Sequence, residues 1–310
     1  MDCPRKFFYE YVCGVRKDEP NEHLVFGSAW HDAIEHIMNH GRTKESVLDA
    51  ANLFMETYRK GYEGREHFVP GTGNAKTPDN GMNLLVAYLN EYKHDEYETL
   101  FTEVAGAVPI SEDRQLHVKF DSVIKRKDGI WSLEHKTTGR LTQAWKDKWQ
   151  IDFQVGAYNH ALRCLFPTEQ VRGVIVNGAV VRDKSYEFLR IPISRDGKQA
   201  LMFLWEANHW VDMIEWNFNE LEQCKPDDPI MMAFPKNVES CSKFGCKYPE
   251  FCWTKPNPLY LAHENVPGYK REFWDPRTRL EDAKAIIVDG DKIVKKEQQD
   301  VKPNPSEETL

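Results

Sequence analysis

Seven polar residues are spaced along this chain in a pattern that could support chemistry on a phosphate ester. They are His31, Glu103, Asp121, Glu134, Lys136, Gln154 and Tyr158. The tripeptide Glu134-His135-Lys136 is central: in a strand, Glu134 and Lys136 point to one face and His135 to the other. A carboxylate beside an ammonium, with a second carboxylate at Asp121, can bind a divalent cation and orient a water. That is the minimum equipment for metal-assisted hydrolysis of a phosphodiester.

A predicted hairpin must bring the two carboxylates together. Strands are predicted over Phe101–Ile110, Leu116–Arg126 and Ile130–Thr137. The pair Asp128-Gly129 between the last two strands indicates a tight turn. Asp121 and Glu134 would then lie on neighbouring strands, close enough to share one ion, while Phe120 faces the core. A charged, exposed hairpin is the alternative interpretation of the same pattern.

The remaining polar residues are expected on helices and on the first strand. In a helix predicted over Ala144–Leu165, Gln150, Gln154 and Tyr158 recur at four-residue spacing and share one face. That face would contact phosphate or support the carboxylates, unless it is simply exposed to solvent.

His31 is expected on a helix capped by Ser28 and ending near His40. A lone histidine on a helix is more often structural than a ligand, but with Glu35 one turn later it could offer a nitrogen to Mn²⁺. Glu103 could hold a second ion or a metal-bound water.

The other elements alternate between helices and strands. Further helices are predicted over Cys3–Val12, Thr43–Tyr62, Met82–Asp95 and Lys198–Cys224, further strands over Val171–Val181 and Tyr186–Ile193, and a loop over Gly64–Gly81. This order predicts an α/β core sheet flanked by helices, with a helical N-terminal region packed on one side.

Composition limits the class of protein. The chain has 310 residues, a net charge of −8 and no apolar run near the length that crosses a bilayer. We expect a soluble cytoplasmic protein with no membrane partner. The negative charge argues against nonspecific coating of nucleic acid but permits local binding. Basic residues are expected to flank the site, at Lys125-Arg126-Lys127, Arg140, Lys146 and Lys148, with an ordinary solvated charged surface as the alternative. Trp145 and Trp149, if exposed, could stack bases, with burial in the core as the alternative.

The seven cysteines follow a separate pattern. An odd number in a chain of this kind argues against a disulfide framework. Cys241, Cys246 and Cys252 form a tight triplet that needs a fourth ligand, for which Cys3 is the candidate. The other three cysteines are expected to be small buried apolar residues.

The ordered motifs resemble those of the PD-(D/E)XK nuclease superfamily, in particular its RecB-like and CRISPR-associated exonuclease branch. The matching segments are Gly27-Ser28-Ala29-Trp30-His31, Phe120-Asp121, Glu134-His135-Lys136 and Gln154-Val155-Gly156-Ala157-Tyr158. The resemblance implies a restriction-endonuclease-like mixed sheet flanked by helices. It also implies Mg²⁺ or Mn²⁺ held by His31, Asp121, Glu134 and the His135 carbonyl, with Lys136 assisting the attacking water. Lys119 stands where the family often has glycine.

RecB-like nucleases with an iron–sulfur cluster place one cysteine at the N-terminus and three near the C-terminus. The resemblance therefore implies that Cys3, Cys241, Cys246 and Cys252 bind a [4Fe–4S] cluster that joins the chain ends around the nuclease core. The spacing departs from the family, since four residues separate Cys241 from Cys246 where two are usual. Zinc on the same four thiolates, or unliganded thiols, are the alternatives.

These observations predict a metal-dependent DNA nuclease, an exonuclease acting on ends or single strands in recombination, repair or phage DNA metabolism. A non-cleaving nucleic-acid-binding subunit and a hydrolase of another phosphoester are the alternatives. A helicase or recombination protein is a possible partner, and the oligomeric state is not specified. Four regions are expected: helical over 1–100 with Cys3 and His31, a nuclease core over 101–225, a cysteine-rich region over 226–255, and an extension over 256–310 with a disordered tail.

Overall fold

The computed structural model describes residues 3–64, 75–183, 185–243, 246–262 and 264–296. Its helices in these ranges are α1 Pro4–Phe7, α2 Glu22–His40, α3 Lys44–Lys60, α4 Pro78–Glu91, α5 Gln143–Lys148, α6 Phe153–Leu165, α7 Gly197–Gln223, α8 Val238–Lys243, α9 Pro249–Thr254 and α10 Arg279–Asp282. A π-helical turn, Phe8–Val12, continues α1, and 3₁₀ turns cover Leu259–Ala262 and Pro276–Thr278. Its strands are β1 Val15–Lys17, β2 Glu98–Pro109, β3 Gln115–Arg126, β4 Gly129–Thr138, β5 Val171–Val181, β6 Tyr186–Ile193, β7 Tyr269–Arg271, β8 Ala285–Val288 and β9 Lys292–Lys295.

A seven-stranded mixed sheet has the strand order β6-β5-β4-β3-β2-β8-β9. Strands β2, β3 and β4 are antiparallel neighbours, as predicted, and β4 pairs with β5 in parallel after the crossover through α5 and α6. The turn between β3 and β4 occupies Lys127 and Asp128, one residue earlier than predicted. The reason is that Gly129, whose φ is 134°, already pairs with Arg126 as part of β4.

Strands β3 and β4 pair along only part of their length. Their pairing runs from Arg126–Gly129 to Ser122–Leu133. Beyond that point β3 continues against β2, and β4 continues against β5. The two strands therefore separate just before Asp121 and Glu134, which places both carboxylates where a cleft opens in the sheet.

Helices cover both faces of the sheet. On one face, α6 and α7 pack on β3 through a core that includes Phe120, Tyr158, Leu162 and Phe203. On the other face, α2, α3 and α4 share a core that reaches β5 and includes Trp30, Phe54, Leu84 and Val181. A cleft between β3 and β4 is thus bordered by α2 on one side and α6 on the other.

Helix α2 begins earlier than predicted. The Asn21 side chain caps it by accepting hydrogen bonds from the backbone N–H groups of His23 at 3.0 Å and Leu24 at 3.3 Å. Ser28, the predicted cap, lies inside the helix. The early start leaves His31 in the middle of a 19-residue helix, where its backbone is more rigid than in a first turn.

The helix predicted over Ala144–Leu165 is two helices. Asp152 starts α6 by accepting a hydrogen bond from the backbone N–H of Val155 at 3.2 Å, so Gln150 lies in the intervening turn and outside the predicted helical face. Of the two alternatives for Trp145 and Trp149, the structure shows the core position: Trp149 is buried, and Trp145 is half-buried against the same core. Apolar packing under the end of the sheet takes precedence over the base stacking proposed for them.

The N-terminal helical turn packs against the cysteine-rich stretch near the other end of the chain. The N-terminal helical turn and the cysteine-rich stretch share a cluster that includes Phe8, Tyr9, Phe234, Tyr248 and Phe251. Within it the buried Arg5 side chain donates to the carbonyl oxygens of Phe234 at 2.8 Å and Met231 at 3.2 Å. Strands β1 and β7 add an antiparallel pair beside this cluster.

The C-terminal strands β8 and β9 were not predicted. Strand β8 runs parallel to β2 and pairs with β9, so residues beyond 256 extend the central sheet. Short strands without a strict alternation leave little periodic signal. Most of the predicted loop over Gly64–Gly81, and the predicted disordered tail beyond Lys296, lie outside the described residues, whereas Lys295 belongs to β9. No helix of the described part of the chain is long and apolar enough to cross a membrane.

Candidate active site

Asp121 is held from two sides at the point where the strands separate. Its Oδ1 lies 3.2 Å from Nδ1 of His31, and its Oδ2 accepts a hydrogen bond from the backbone N–H of His135 at 2.8 Å. Nε2 of His31 lies 2.8 Å from the carbonyl oxygen of His135. His31 on α2, Asp121 on β3 and His135 on β4, all predicted as ligands, therefore each contact the other two. We call these three residues the closed set.

The electrostatics of this set favour positive charge. Burial lowers the pKa of His31, but the carboxylates of Asp121 and Glu134 outweigh it and raise that pKa to about 9. Burial alone would raise the pKa of Asp121, yet His31 holds it below its usual range. In the absence of a cation, a protonated His31 therefore supplies the positive charge next to Asp121.

Glu134 has one satisfied and one unsatisfied oxygen. Its side chain is buried, and its Oε1 lies 2.5 Å from Nζ of Lys136. In the described part of the chain its Oε2, also buried, has no hydrogen-bond partner. Burial, and then the charge of Asp121, raise the pKa of Glu134. A buried carboxylate oxygen without a donor is costly, so this atom is poised for a cation.

A chain of hydrogen bonds fixes the Lys136 ammonium. It donates to Oε1 of Gln154 at 3.1 Å, and Nε2 of Gln154 donates to the hydroxyl of Tyr158 at 3.0 Å. The Tyr158 hydroxyl donates to the Lys119 carbonyl on β3. The predicted helical face of Gln154 and Tyr158 thus connects the two separated strands and holds Lys136 between Glu134 and α6.

Glu103 lies beside the set but is already paired. It stands between the register pairs Thr102–Ser122 and Val104–Phe120, opposite Asp121, and its backbone φ is 46°. Its Oε2 lies 2.5 Å from Nζ of Lys119. Burial raises the pKa of Glu103 although Lys119 opposes this shift. Lys119, which departs from the family's usual glycine, therefore offsets the charge of the predicted second ion ligand.

Glu35, one turn after His31, belongs to a different group of contacts. Its Oε1 accepts a hydrogen bond from Oγ1 of Thr102 at 3.0 Å and lies 2.7 Å from Nζ of Lys284, just before β8. The C-terminal extension thus places the ammonium group of Lys284 on the outer side of the site. Glu35 is not part of the closed set of His31, Asp121 and His135.

A buried polar network lies behind His135, and it was not predicted from the sequence. Nδ2 of Asn177 on β5 lies 2.7 Å from the hydroxyl of Tyr88 and 2.9 Å from Nδ1 of His135. Nε of Arg190 donates to Oδ1 of Asn177 at 3.1 Å, and Arg190 pairs with Asp95 at 2.7 Å. Burial lowers the pKa of His135 to about 3, so its ring is neutral and accepts from Asn177. A single amide inside the apolar run of β5 was the available signal.

Asn177→Leu should destabilise the protein by about 2–4 kcal/mol, because it leaves buried groups of Arg190 and His135 without their partner. Urea unfolding followed by circular dichroism measures the change. Asn90→Leu, at an exposed position on α4, is the matched control and should change the free energy of unfolding by less than about 0.5 kcal/mol. Equal stability of the two variants would show that the network does not support β4.

The basic residues predicted to flank the site are only partly there. Lys125 lies 3.4 Å from Glu169 and Lys127 lies 2.7 Å from Glu96, at the hairpin end of β4 and away from the cleft. The prediction for this basic triplet is wrong, because the triplet lies at the hairpin end where β4 begins, whereas Glu134 and Lys136 lie further along β4. Lys148 does lie close, since its ammonium is 3.9 Å from the ring centre of Trp149, and Lys136 is 5.9 Å from the same ring.

The residues present fit a hard divalent cation. No three His, Cys, Asp or Glu side chains among the described residues form a preformed metal site. The donors nevertheless are of the right kind, since carboxylate and carbonyl oxygens are what Mg²⁺ and Mn²⁺ prefer. Oε2 of Glu134, which has no hydrogen-bond partner in the part of the chain that the structure describes, is the position at which a cation would relieve a buried charge.

The four predicted cluster cysteines meet around one cavity. Cys3, Cys241, Cys246 and Cys252 line it together with Lys6, Tyr9, Lys236 and Ser240. The backbone N–H of Asn237 donates to Sγ of Cys3 at 3.3 Å, and that of Tyr248 donates to Sγ of Cys246 at 3.4 Å. Burial raises the pKa of Cys241 and of Cys252, so a bound metal would be needed to keep these two sulfurs as thiolates, the form that binds iron or zinc. Four sulfurs around one cavity are a donor set of the right kind for either metal, although these four described cysteines are not arranged as a preformed site.

Comparison with known proteins identifies the family. The model of the PD-(D/E)XK nuclease superfamily matches residues 1–252. The chain therefore belongs to this superfamily, and its seven-stranded mixed sheet flanked by helices is a restriction-endonuclease-like fold. The predicted site residues and all four cysteines lie within the match, whereas β7, β8 and β9 lie beyond it. Among curated proteins none shows significant similarity to the chain.

Proposed function

We propose that this protein is a metal-dependent deoxyribonuclease that acts as an exonuclease on DNA ends or single strands. Membership in the superfamily indicates nuclease activity. The observation that carries the proposal is the buried Glu134: Lys136 holds one oxygen, and the other, beside Asp121, has no hydrogen-bond partner among the described residues. A binding protein that had lost catalysis would have no reason to keep this costly arrangement.

The proposed roles follow from the contacts. A divalent cation, Mg²⁺ or Mn²⁺, supplies an acidified water and offsets charge on the phosphate. Asp121, Glu134, His31 and the His135 carbonyl would hold it, with Glu103 available to a second ion. Lys136 orients the attacking water, because its ammonium is fixed between Glu134 and Gln154. Tyr158 keeps Gln154 in place.

The cofactor of the four cysteines is proposed to be a [4Fe–4S] cluster, with zinc as the rival. Support comes from their shared cavity and from the backbone N–H donors to Cys3 and Cys246. An iron–sulfur cluster there would connect α1 to the segment around α9 and hold together the aromatic residues packed between them.

A role in DNA recombination or repair, a helicase or recombination partner and a cytoplasmic location are supported by the family resemblance alone.

Lys136→Ala tests the proposed chemistry. It should lower the rate of DNA cleavage by at least about 100-fold, because the attacking water loses its positioning group. Binding of DNA in EDTA, measured by fluorescence anisotropy, should change much less, and so should the metal content of the cysteine site.

Lys127→Ala is the matched control, since Lys127 is exposed at the far end of β4. Cleavage that survives in Lys136→Ala at the wild-type rate would contradict the role given to Lys136. A wild-type protein that binds DNA but does not cleave it with either metal would instead be a binding subunit.

A further inference from the structure

A groove with a volume of about 650 Å³ lies between the N-terminal helical turn, α7 and the segment before α10. Five aromatic side chains line it, Phe7 among them, together with aliphatic residues and a few polar ones. We call it the aromatic groove and define it by Tyr11, Phe153, Trp210 and Trp274, with Lys6 and Gln115. None of these six residues belongs to the closed set around Asp121.

The rings of the aromatic groove are unusually exposed for aromatic residues. Tyr11 and Phe153 are each 43% exposed, Trp210 is 38% exposed and Trp274 is 45% exposed. Tyr11 and Trp274 contact each other edge to face, with ring centres 6.0 Å apart. Their positions are therefore set by packing while part of each ring stays open to a ligand.

The aromatic groove shares α6 and β3 with the active site. Phe153 immediately precedes Gln154, which accepts a hydrogen bond from Lys136, and Gln115 lies on β3, the strand that carries Asp121. At the opposite rim the Arg279 guanidinium lies 5.6 Å from the ring centre of Trp274.

The charges of the groove suit a polyanion with exposed rings. Lys6 on one wall and Arg279 at the rim are positive, and the one acidic residue of the wall, Glu10, lies 3.2 Å from Arg16. Flat aromatic faces with nearby cations bind unpaired nucleobases in a sequence-tolerant way. Bases of a duplex are stacked on one another and do not offer these faces.

We infer that the aromatic groove binds a single-stranded segment of the DNA substrate and leads it to the cleft between β3 and β4. The inference rests on the proposed function and specifies the substrate form used by that site. Trp210 and Trp274 would stack on the bases, Lys6 and Arg279 would pair with backbone phosphates, and Phe153 would mark the entry to the catalytic residues.

The test measures binding without cleavage. A fluorescent single-stranded DNA of about 12 nucleotides is titrated, in EDTA, into wild type, Trp210→Ala and Trp274→Ala. Each substitution should weaken binding about tenfold, and Trp274→Phe should recover most of the loss. Trp205→Ala is the matched control, because Trp205 is 67% exposed on α7 but does not line the groove. A blunt duplex of the same sequence should bind about equally to all variants.

Three results would overturn the inference: wild-type binding by both groove variants, an equal loss in Trp205→Ala, or tighter binding of RNA than of DNA of the same sequence. Circular dichroism melting curves that match wild type show that the variants are folded. Failure of the proposed function gives a different pattern. In that case the groove variants lose DNA binding while the wild type cleaves nothing; if only the inference fails, the groove variants bind and cleave DNA as wild type does.

Discussion

Glu134→Gln should lower metal-dependent DNA cleavage by about 1,000-fold or more. The Glu134 carboxylate has a buried oxygen without a hydrogen-bond partner among the described residues, and we propose this oxygen as a metal ligand. The neutral amide of glutamine is a far weaker ligand for Mg²⁺ or Mn²⁺. Metal catalysis supplies several kcal/mol of transition-state stabilisation, and each 1.36 kcal/mol corresponds to a factor of ten in rate. The measurement is single-turnover cleavage of labelled DNA at saturating protein.

The same substitution should not destabilise the metal-free protein. Burial and the charge of Asp121 raise the pKa of Glu134, so the ionised side chain is unfavourable where it lies. Glutamine has nearly the same shape and no charge, and thermal unfolding in EDTA should give a midpoint at or above that of wild type. A variant that loses activity because it misfolds would show the opposite change.

Glu169→Gln is the matched control, because Glu169 is half exposed and pairs with Lys125 at the far end of the sheet. Its cleavage rate should stay within about twofold of wild type. If Glu134→Gln cleaves DNA at a tenth of the wild-type rate or faster, the metal is held elsewhere and the proposed site is wrong.

Cys252→Ser should remove the bound metal and loosen the junction between the chain ends. Cys252 is buried, and its sulfur lies 3.7 Å from the hydroxyl of Tyr9. Tyr9 belongs to the aromatic cluster that joins the π-helical turn to the segment around α9. Loss of a metal that holds such a junction should lower the melting temperature by about 5–10 °C.

Protein purified without oxygen should show the visible absorption of an iron–sulfur cluster, and Cys252→Ser should lack it. Cys224→Ser is the matched control. Its sulfur donates to the carbonyl of Glu220, which a serine hydroxyl can also do, and it does not line the cysteine cavity. Zinc found in place of iron would select the rival metal. Wild-type stability of Cys252→Ser, together with metal-free wild-type protein, would contradict a metal at these cysteines.

The placement of Asp121, Glu134, Gln154 and Tyr158 could be predicted because its signals are local. The alternation of β3 and β4 and the turn between them are enough to put Asp121 next to Glu134. Helical spacing likewise puts Gln154 and Tyr158 on one face, although the helix carrying them starts only at Phe153. The roles of His31 and Cys3 could be predicted only through the resemblance. The sequence around each of them does not indicate which distant residues it contacts in the fold.

The rest depends on contacts between residues far apart in the chain. Asn177 meets Tyr88 and His135, which are 89 and 42 residues away, and no periodicity reports such a meeting. The same limit hid the pairing of β8 with β2 and the ion pair of Lys284 with Glu35. The sequence left two alternatives for Trp149, because an aromatic residue near a site can belong either to the core or to the substrate path, and only packing distinguishes the two.

The most direct test of the central claim is digestion of end-labelled DNA, single-stranded and double-stranded, by the purified protein in Mn²⁺, in Mg²⁺ and in EDTA. We expect degradation from the ends with either metal, no degradation in EDTA, and none by Glu134→Gln under any condition. Folded protein that leaves both DNAs intact with both metals, or that degrades them equally in EDTA, would contradict a metal-dependent nuclease at Asp121 and Glu134.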